Sequence, residues 1–322
     1  MPHKIVLLDN TAPAQAERLR SLLPSGFELS HGTARGEDHL KDIIRHADFA
    51  ISAQVAVTGE ILRAAPRLKL LHKWGVGVDN FDVDAARSLG IKVARTTGSN
   101  ALPVAEFTIG LMIATLRFQA LGHERLRQGR WMAFNELPGP ALCISGSTVG
   151  IVGFGAIGQT VARLVKGFGC RVLYNKRSRL PAEEEQALGA EFAEMPELLA
   201  NADIVSLNCP LTPETTDLIN TESIARMKPS AVLVNVARGG VVNEDDLALA
   251  LRNRTIRGAA MDVYSVEPLP SDSALLGLDN IVLTPHLAAA TADTFEPTVR
   301  RMFENIALVS RGEPLPPQDE VV

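Results

Sequence analysis

No long apolar run, no block of like charge and no close pair of cysteines occurs in the 322-residue chain. Each absence narrows what the protein can be. The longest apolar run, residues 107–116, falls well short of the ~20 residues that a membrane-spanning helix needs. Five like charges never follow one another and the formal net charge is only -5, which argues against a nucleic-acid or polybasic membrane surface. Cys143, Cys170 and Cys209 form no CxxC motif. An odd number of thiols suits a reducing compartment, with buried packing roles expected for them. The chain opens directly on a strand-like stretch, residues 4–9, without a leader-like segment. A cytoplasmic location is therefore expected. Internal repeats and low-complexity tracts are also missing.

Short Val- and Ile-rich runs alternate with helical patterns throughout, the rhythm of a doubly wound parallel sheet. The length exceeds what one core usually supports, so the expectation is an α/β protein of two domains. In the first hundred residues strands are predicted over 5–9, 49–52, 68–73 and 93–96, with helices such as 14–23 and 37–46. A small, polar stretch at 97–102 marks a hinge. A long helix follows over 103–117, opening on Pro103 as helices prefer. A second series of strands starts at Val149 and continues through 171–175, 203–208, 232–237, 259–263 and 281–284. A helix over 291–310 closes the series.

Val149-Gly150-Ile151-Val152 reads as a buried strand and leads into Gly153-Phe154-Gly155-Ala156-Ile157-Gly158, then a helix over 159–168. The strand–turn–helix context is what gives GxGxxG its meaning. Gly153 permits the tight turn, Gly155 lets backbone approach a pyrophosphate, and Gly158 lets helix and strand pack closely. The helix N-terminus adds free N–H groups and partial positive charge. About twenty residues on, where an NAD site usually carries Asp or Glu on the ribose hydroxyls, the chain has Asn175-Lys176-Arg177-Ser178. A carboxylate repels a 2′-phosphate, whereas Lys and Arg attract it. NADP(H) is thus expected in preference to NAD(H), with NAD(H) still acceptable. A solvated basic strand end is the bland alternative.

Three further strand ends carry reactive side chains: Arg238 in Asn235–Gly240, Glu267 in Met261–Pro268, and His286 after Thr284-Pro285. Ligands of such folds bind at carboxyl ends of strands. Reduction of a 2-oxo acid delivers a hydride to carbon and a proton to oxygen. His286 can supply the proton near neutral pH. Glu267 beside it would favour the imidazolium, and Arg238 can fork onto the carboxylate and polarise the oxo group. Singly, each is as readily a surface charge or a packed side chain; the set gains its meaning from the dinucleotide turn.

At these residues the chain resembles the D-isomer-specific 2-hydroxyacid dehydrogenases, closest in pattern to the glyoxylate/hydroxypyruvate reductases. Gly75-Val76-Gly77-Val78-Asp79-Asn80-Phe81-Asp82 is similar to the family's substrate-carboxylate loop, and Asn100–Glu106 to its hinge. Asn208-Cys209-Pro210-Leu211-Thr212 and Asn235–Gly239 are similar to motifs lining the cofactor, and Glu267-Pro268 with Pro285-His286 to the acid–base pair. The resemblance implies a flavodoxin-like substrate domain over 1–99, completed by 290–322, and a Rossmann cofactor domain over 100–289, with the active site between them. It implies cofactor contacts from the glycine turn, including Ala156 and Ile157, from residues 175–178, and from Cys209, Pro210, Thr215, Val236, Ala237, Asp262 and Ala288. Val76 and Gly77 would bind substrate. A homodimer joined through the helix after Pro103 and the loop with Trp131 is also implied, and no metal. Asn208 and Asn243 depart from the family's frequent His and Asp, outside the three catalytic positions.

The leading substrates are glyoxylate and hydroxypyruvate. The runner-up is 3-phosphoglycerate, because Lys73 stands where phosphoglycerate dehydrogenases tend to carry a cation; a lysine with its charge in water is the alternative. The shortness of the chain after residue 312 weakens that role. Formate oxidation is disfavoured, since that branch carries Gln where Glu267 stands. A dinucleotide-sensing corepressor is the competitor of another class, without a disordered tail or interaction motif to support it.

Overall fold

The computed structural model describes residues 2–322. The chain divides into two compact units, one of Met1–Asn100 with Thr291–Val322 and one of Ala101–Ala290.

The first unit is a parallel sheet of β1 (His3–Asn10), β2 (Phe27–Gly32), β3 (Phe49–Ser52), β4 (Leu70–Lys73) and β5 (Lys92–Ala94) in the order β2-β1-β3-β4-β5. This is the flavodoxin-like order. Its inner strands β3 and β4 are buried at every position because helices cover both faces. Val6, Leu8, Ala50 and Leu71 pack on one side with Leu40, Ile44 and Ile61. Ile5, Leu7, Phe49 and Ile51 pack on the other against Met302, Phe303 and Ile306 of the helix Phe295–Ser310. The chain's last helix thereby completes its first sheet. The tail beyond it bonds β5, with Val321 N–H donating to Val93 O at 2.8 Å, and covers what would be a bare edge.

The second unit is a parallel sheet of β6 (Thr148–Val152), β7 (Arg171–Asn175), β8 (Ala190–Phe192), β9 (Ile204–Leu207), β10 (Val232–Asn235), β11 (Gly258–Met261) and β12 (Ile281–Leu283). The order is β12-β11-β10-β9-β6-β7-β8. The order reverses between β6 and β9, and that switch point is where such sheets bind nucleotides. The helix Ala101–Leu116 lays Val104, Ala105 and Met112 into the core formed by Ile151, Val232, Val234 and Ala260.

Several details correct the sequence reading. β2 was not predicted: its FELSHG run is poor in apolar residues and half exposed, as an edge strand can be. β8 has three residues, too few to show a period. The helix after the glycine turn begins at Ala156, not Gln159, and the long hinge helix begins at Ala101, before its proline. The closing helix begins at Phe295 rather than residue 291. Of the thiols, Cys209 is buried and Cys170 partly so, but Cys143 is exposed. Among the described residues no single helix is long and apolar enough to cross a membrane.

Candidate active site

Two of the three motif glycines are dictated by packing. Gly153 has φ +90°, and a Cβ there would collide with the backbone of Asn208 and Cys209 at the end of β9. A Cβ at Gly158 would strike the Gly153 carbonyl. Gly155 differs, since nothing lies within 4 Å of where its Cβ would be. It faces open space at the start of the helix Ala156–Lys166, whose N-terminus has no side-chain cap. Uncapped N–H groups beside an open glycine fit the pyrophosphate of a dinucleotide.

At the far end of β7, Asn175 Nδ2 donates to Ala193 O at 2.9 Å. Lys176 is half-buried, while Arg177 and Ser178 are exposed. Across from them, the loop after β9 is braced by Thr215, whose Oγ1 donates to Pro210 O at 2.7 Å and accepts from Thr212 N at 2.8 Å. A hydrogen bond with Thr212 holds the Glu214 carboxyl below its usual range, with help from the charge of Arg177. Burial pushes the Cys209 thiol up to about 11, which makes it a packing residue and not a nucleophile. Val236 and Ala237, at the end of β10, are buried.

The reactive side chains stand on the adjacent strand ends of β10, β11 and β12. His286 has φ +54°, a conformation that costs energy outside glycine and persists only where neighbours enforce it. Asp262, fully buried after β11, enforces it. Its backbone O accepts the His286 N–H at 2.8 Å. Its carboxylate accepts Thr284 Oγ1 at 2.6 Å, Leu287 N at 2.8 Å and Ala288 N at 2.9 Å. His286 Nδ1 then lies 2.8 Å from Glu267 Oε2, with the two side chains 33% and 32% exposed. Glu267 Oε1 accepts the Tyr264 N–H at 3.0 Å. Partial burial raises the Glu267 carboxyl, but the bonds from His286 and Tyr264 and the charges of His286 and Arg238 outweigh it, so the net shift is downward. A carboxylate so held fixes the imidazole through Nδ1 and leaves Nε2 for chemistry.

Arg238 enters through backbone that only glycine allows. A Cβ at Gly239 would overlap the Tyr264 carbonyl carbon, so the β10 loop lies directly on the β11 loop. Buried Asn235 shapes the turn, donating from Nδ2 to Arg238 O at 2.9 Å and accepting from Ala237 N at 3.0 Å. The Tyr264 hydroxyl lies 3.0 Å from Met261 O and 3.1 Å from Thr284 O, and burial pushes it up to about 12. Sequence reasoning did not single out Gly239, Tyr264 or Asn235 as architects of the site. The Asn235–Gly239 motif and the Gly239-Gly240 pair were the visible signals for two of them; nothing marked Tyr264.

In the first unit, Lys73 ends β4 with 7% of its surface exposed. Its Nζ donates to Ala53 O and, at 2.7 Å, to Asn80 Oδ1, while Asn80 Nδ2 donates to Val55 O at 2.7 Å. The charge is therefore not in water. It braces the loop of Gly75, Val76 and Gly77, in which Gly75 has φ +132°. Asp9 anchors the facing loop by accepting the N–H groups of Ala53 and Gln54 at 2.6 and 2.8 Å.

Comparison with known proteins gives the family. Residues 109–288 match the family model of the D-isomer specific 2-hydroxyacid dehydrogenase NAD-binding domain. A glyoxylate reductase of Thermococcus onnurineus is 41% identical over 90% of this chain and 87% of its own. A D-3-phosphoglycerate dehydrogenase of Methanocaldococcus jannaschii is 36% identical over 94% of this chain but only 57% of its own. Among solved structures, the NADPH-dependent glyoxylate/hydroxypyruvate reductase of Sinorhizobium meliloti, in complex with NADP and malonate, superposes with a TM-score of 0.86 at 30% identity, covering 100% of this chain and 97% of that one. The chain belongs to the D-isomer specific 2-hydroxyacid dehydrogenase family and is an oxidoreductase acting on CH–OH donors.

Proposed function

We propose that the protein reduces glyoxylate or hydroxypyruvate to the corresponding 2-hydroxy acid, with NADPH preferred over NADH. The observation that carries the reading is the 2.8 Å pairing of His286 with Glu267 on a loop held by Asp262, with Arg238 on the neighbouring strand end. The bound nicotinamide supplies the hydride. His286 gives the proton to the carbonyl oxygen, and Glu267 keeps the ring oriented through Nδ1. Arg238 takes the carboxylate and polarises the oxo group. The N–H groups of Val76 and Gly77 are assigned to substrate binding. The glycine turn with Ala156 and Ile157 holds the pyrophosphate. Cys209, Pro210, Thr215, Val236, Ala237 and Ala288 line the rest of the cofactor, while Asp262, fully buried, supports that wall from behind. A small substrate is favoured over 3-phosphoglycerate because Lys73 is committed to Ala53 and Asn80.

NADPH preference rests on Asn175, Lys176, Arg177 and Ser178, which offer two cations and a hydroxyl to a 2′-phosphate and no carboxylate to repel it. Two charge-assisted hydrogen bonds, discounted for exposure, correspond to a preference of about 10–1,000-fold. Measuring kcat/KM for both cofactors with glyoxylate tests this, and equal values refute it. The same reading assigns a cytoplasmic homodimer. Trp131 and Phe134, 81% and 86% exposed, are too apolar to stand in water without cause and are assigned to the second copy. Sedimentation equilibrium should give a dimer that Trp131→Arg weakens; a monomeric wild-type protein overturns the assignment.

A further inference from the structure

Behind the ribose end of β7 lies a closed set of contacts that the proposed chemistry leaves unused. Tyr174, next to last in β7, is fully buried. Its ring stacks on Phe154 of the glycine turn, with centroids 4.3 Å apart, and meets Phe192 edge-on at 5.6 Å. Its hydroxyl donates to Glu185 Oε1 at 2.7 Å and accepts the Leu180 N–H at 2.8 Å. The two Glu185 oxygens accept Arg179 Nε and Nη2, both at 2.8 Å. The segment 176–180 thus leaves the strand after Tyr174 and Asn175 and is tied back to the Tyr174 side chain at its other end. Burial, then Glu185, raises the phenol, while Arg179, then Tyr174, lowers the Glu185 carboxyl. The first stays a donor and the second an acceptor near neutral pH.

The bidentate geometry decides the division of labour among the cations of this segment. Arg179 is spent on Glu185, so Lys176 and Arg177 are the ones that can meet a ligand. We propose that Tyr174, Glu185 and Arg179 are positioning residues that fix segment 176–180 and thereby set how strongly the protein distinguishes a phosphorylated from an unphosphorylated adenosine ribose. The proposal rests on the NADPH reading above. A segment ordered in advance spares the ligand the entropy of ordering it, and that gain reaches only ligands that touch the segment.

The test uses 2′,5′-ADP, which carries the 2′-phosphate, and 5′-AMP, which does not. Tyr174→Phe keeps the ring stack and removes the bridging hydroxyl. Glu185→Gln keeps the shape and removes the charge that holds Arg179. Calorimetric Kd values for both nucleotides are measured on the full-length wild-type protein and on both variants, together with thermal unfolding. The expected result is a wild-type preference for 2′,5′-ADP that falls by about 3–10-fold in each variant, the value of one lost hydrogen bond, with 5′-AMP affinity nearly kept. In turnover, KM for NADPH rises while kcat holds. A wild-type ratio near one removes the NADPH reading and this proposal with it. A wild-type preference that survives intact in both variants overturns the proposal alone, as does an equal loss for both nucleotides.

Discussion

His72 and His286 both lie near the carboxyl end of a parallel strand, and each is linked to a carboxylate, yet only one is available for chemistry. His72, in β4, is 0% exposed. Its Nδ1 bonds Lys73 O at 2.8 Å, and its Nε2 meets Asn305 Nδ2 at 3.1 Å. The same amide nitrogen donates to Asp319 Oδ2 at 3.1 Å, and Asp319 is claimed in turn by Arg301. Both ring nitrogens are thus occupied, and a neutral amide stands between ring and carboxylate. His286 bonds Glu267 directly and keeps a third of its surface. Solvent access and a direct charge partner, not the residue type, separate the packed histidine from the one to which proton transfer is assigned above.

The sharpest way to break this comparison is kinetic. His286→Ala should lower the rate of 2-oxo acid reduction by about 10²–10⁴-fold, the usual loss for a general acid. His72→Gln should leave kcat within a few-fold of the wild type. Steady-state rates with glyoxylate decide it, and near-normal turnover in His286→Ala would sink the assignment.

The sequence announced His286 and was silent on His72, and the reason is physical. Arg238, Glu267 and His286 each follow a recognisable short apolar strand, so their placement at strand ends follows from local pattern. Gly153 was legible because a tight turn against a neighbouring strand demands glycine in any sequence. The buttresses were not legible, because their partners are distant in the chain: Asp262 meets residues 284–288, Gly239 meets Tyr264, and His72 meets Asn305. Periodicity reports which face of an element is buried and says nothing of what that face meets. The same limit explains Lys73. A lysine ending a strand looks solvated until Asn80 and Ala53 are brought to it.

A smaller effect sharpens the comparison from the side of stability. Burial, together with the Arg301 charge, lowers His72 from 6.5 to about 4 against the opposing pull of Lys73 O and Asp319. The unfolded chain therefore takes up a proton that the folded one refuses. His72 costs nothing above pH 6.5, and stability is lost as pH falls from there toward 4. Between pH 7 and pH 5 this amounts to about 2 kcal/mol, or roughly 30-fold in the unfolding equilibrium of the first unit. Two units need not unfold together, so the probe has to be local. The chain has two tryptophans, and Trp131→Phe leaves Trp74, which packs 5.8 Å from Phe295 within the first unit. In that background, denaturant unfolding followed by Trp74 fluorescence should show the His72 protein losing about 2 kcal/mol more than His72→Gln between the two pH values. Carboxylates that titrate in the same range are common to both proteins and cancel in the difference. Parallel losses would mean that His72 is no more averse to a proton in the folded unit than in the open chain, and the contrast with His286 would then rest on its missing charge partner and not on burial.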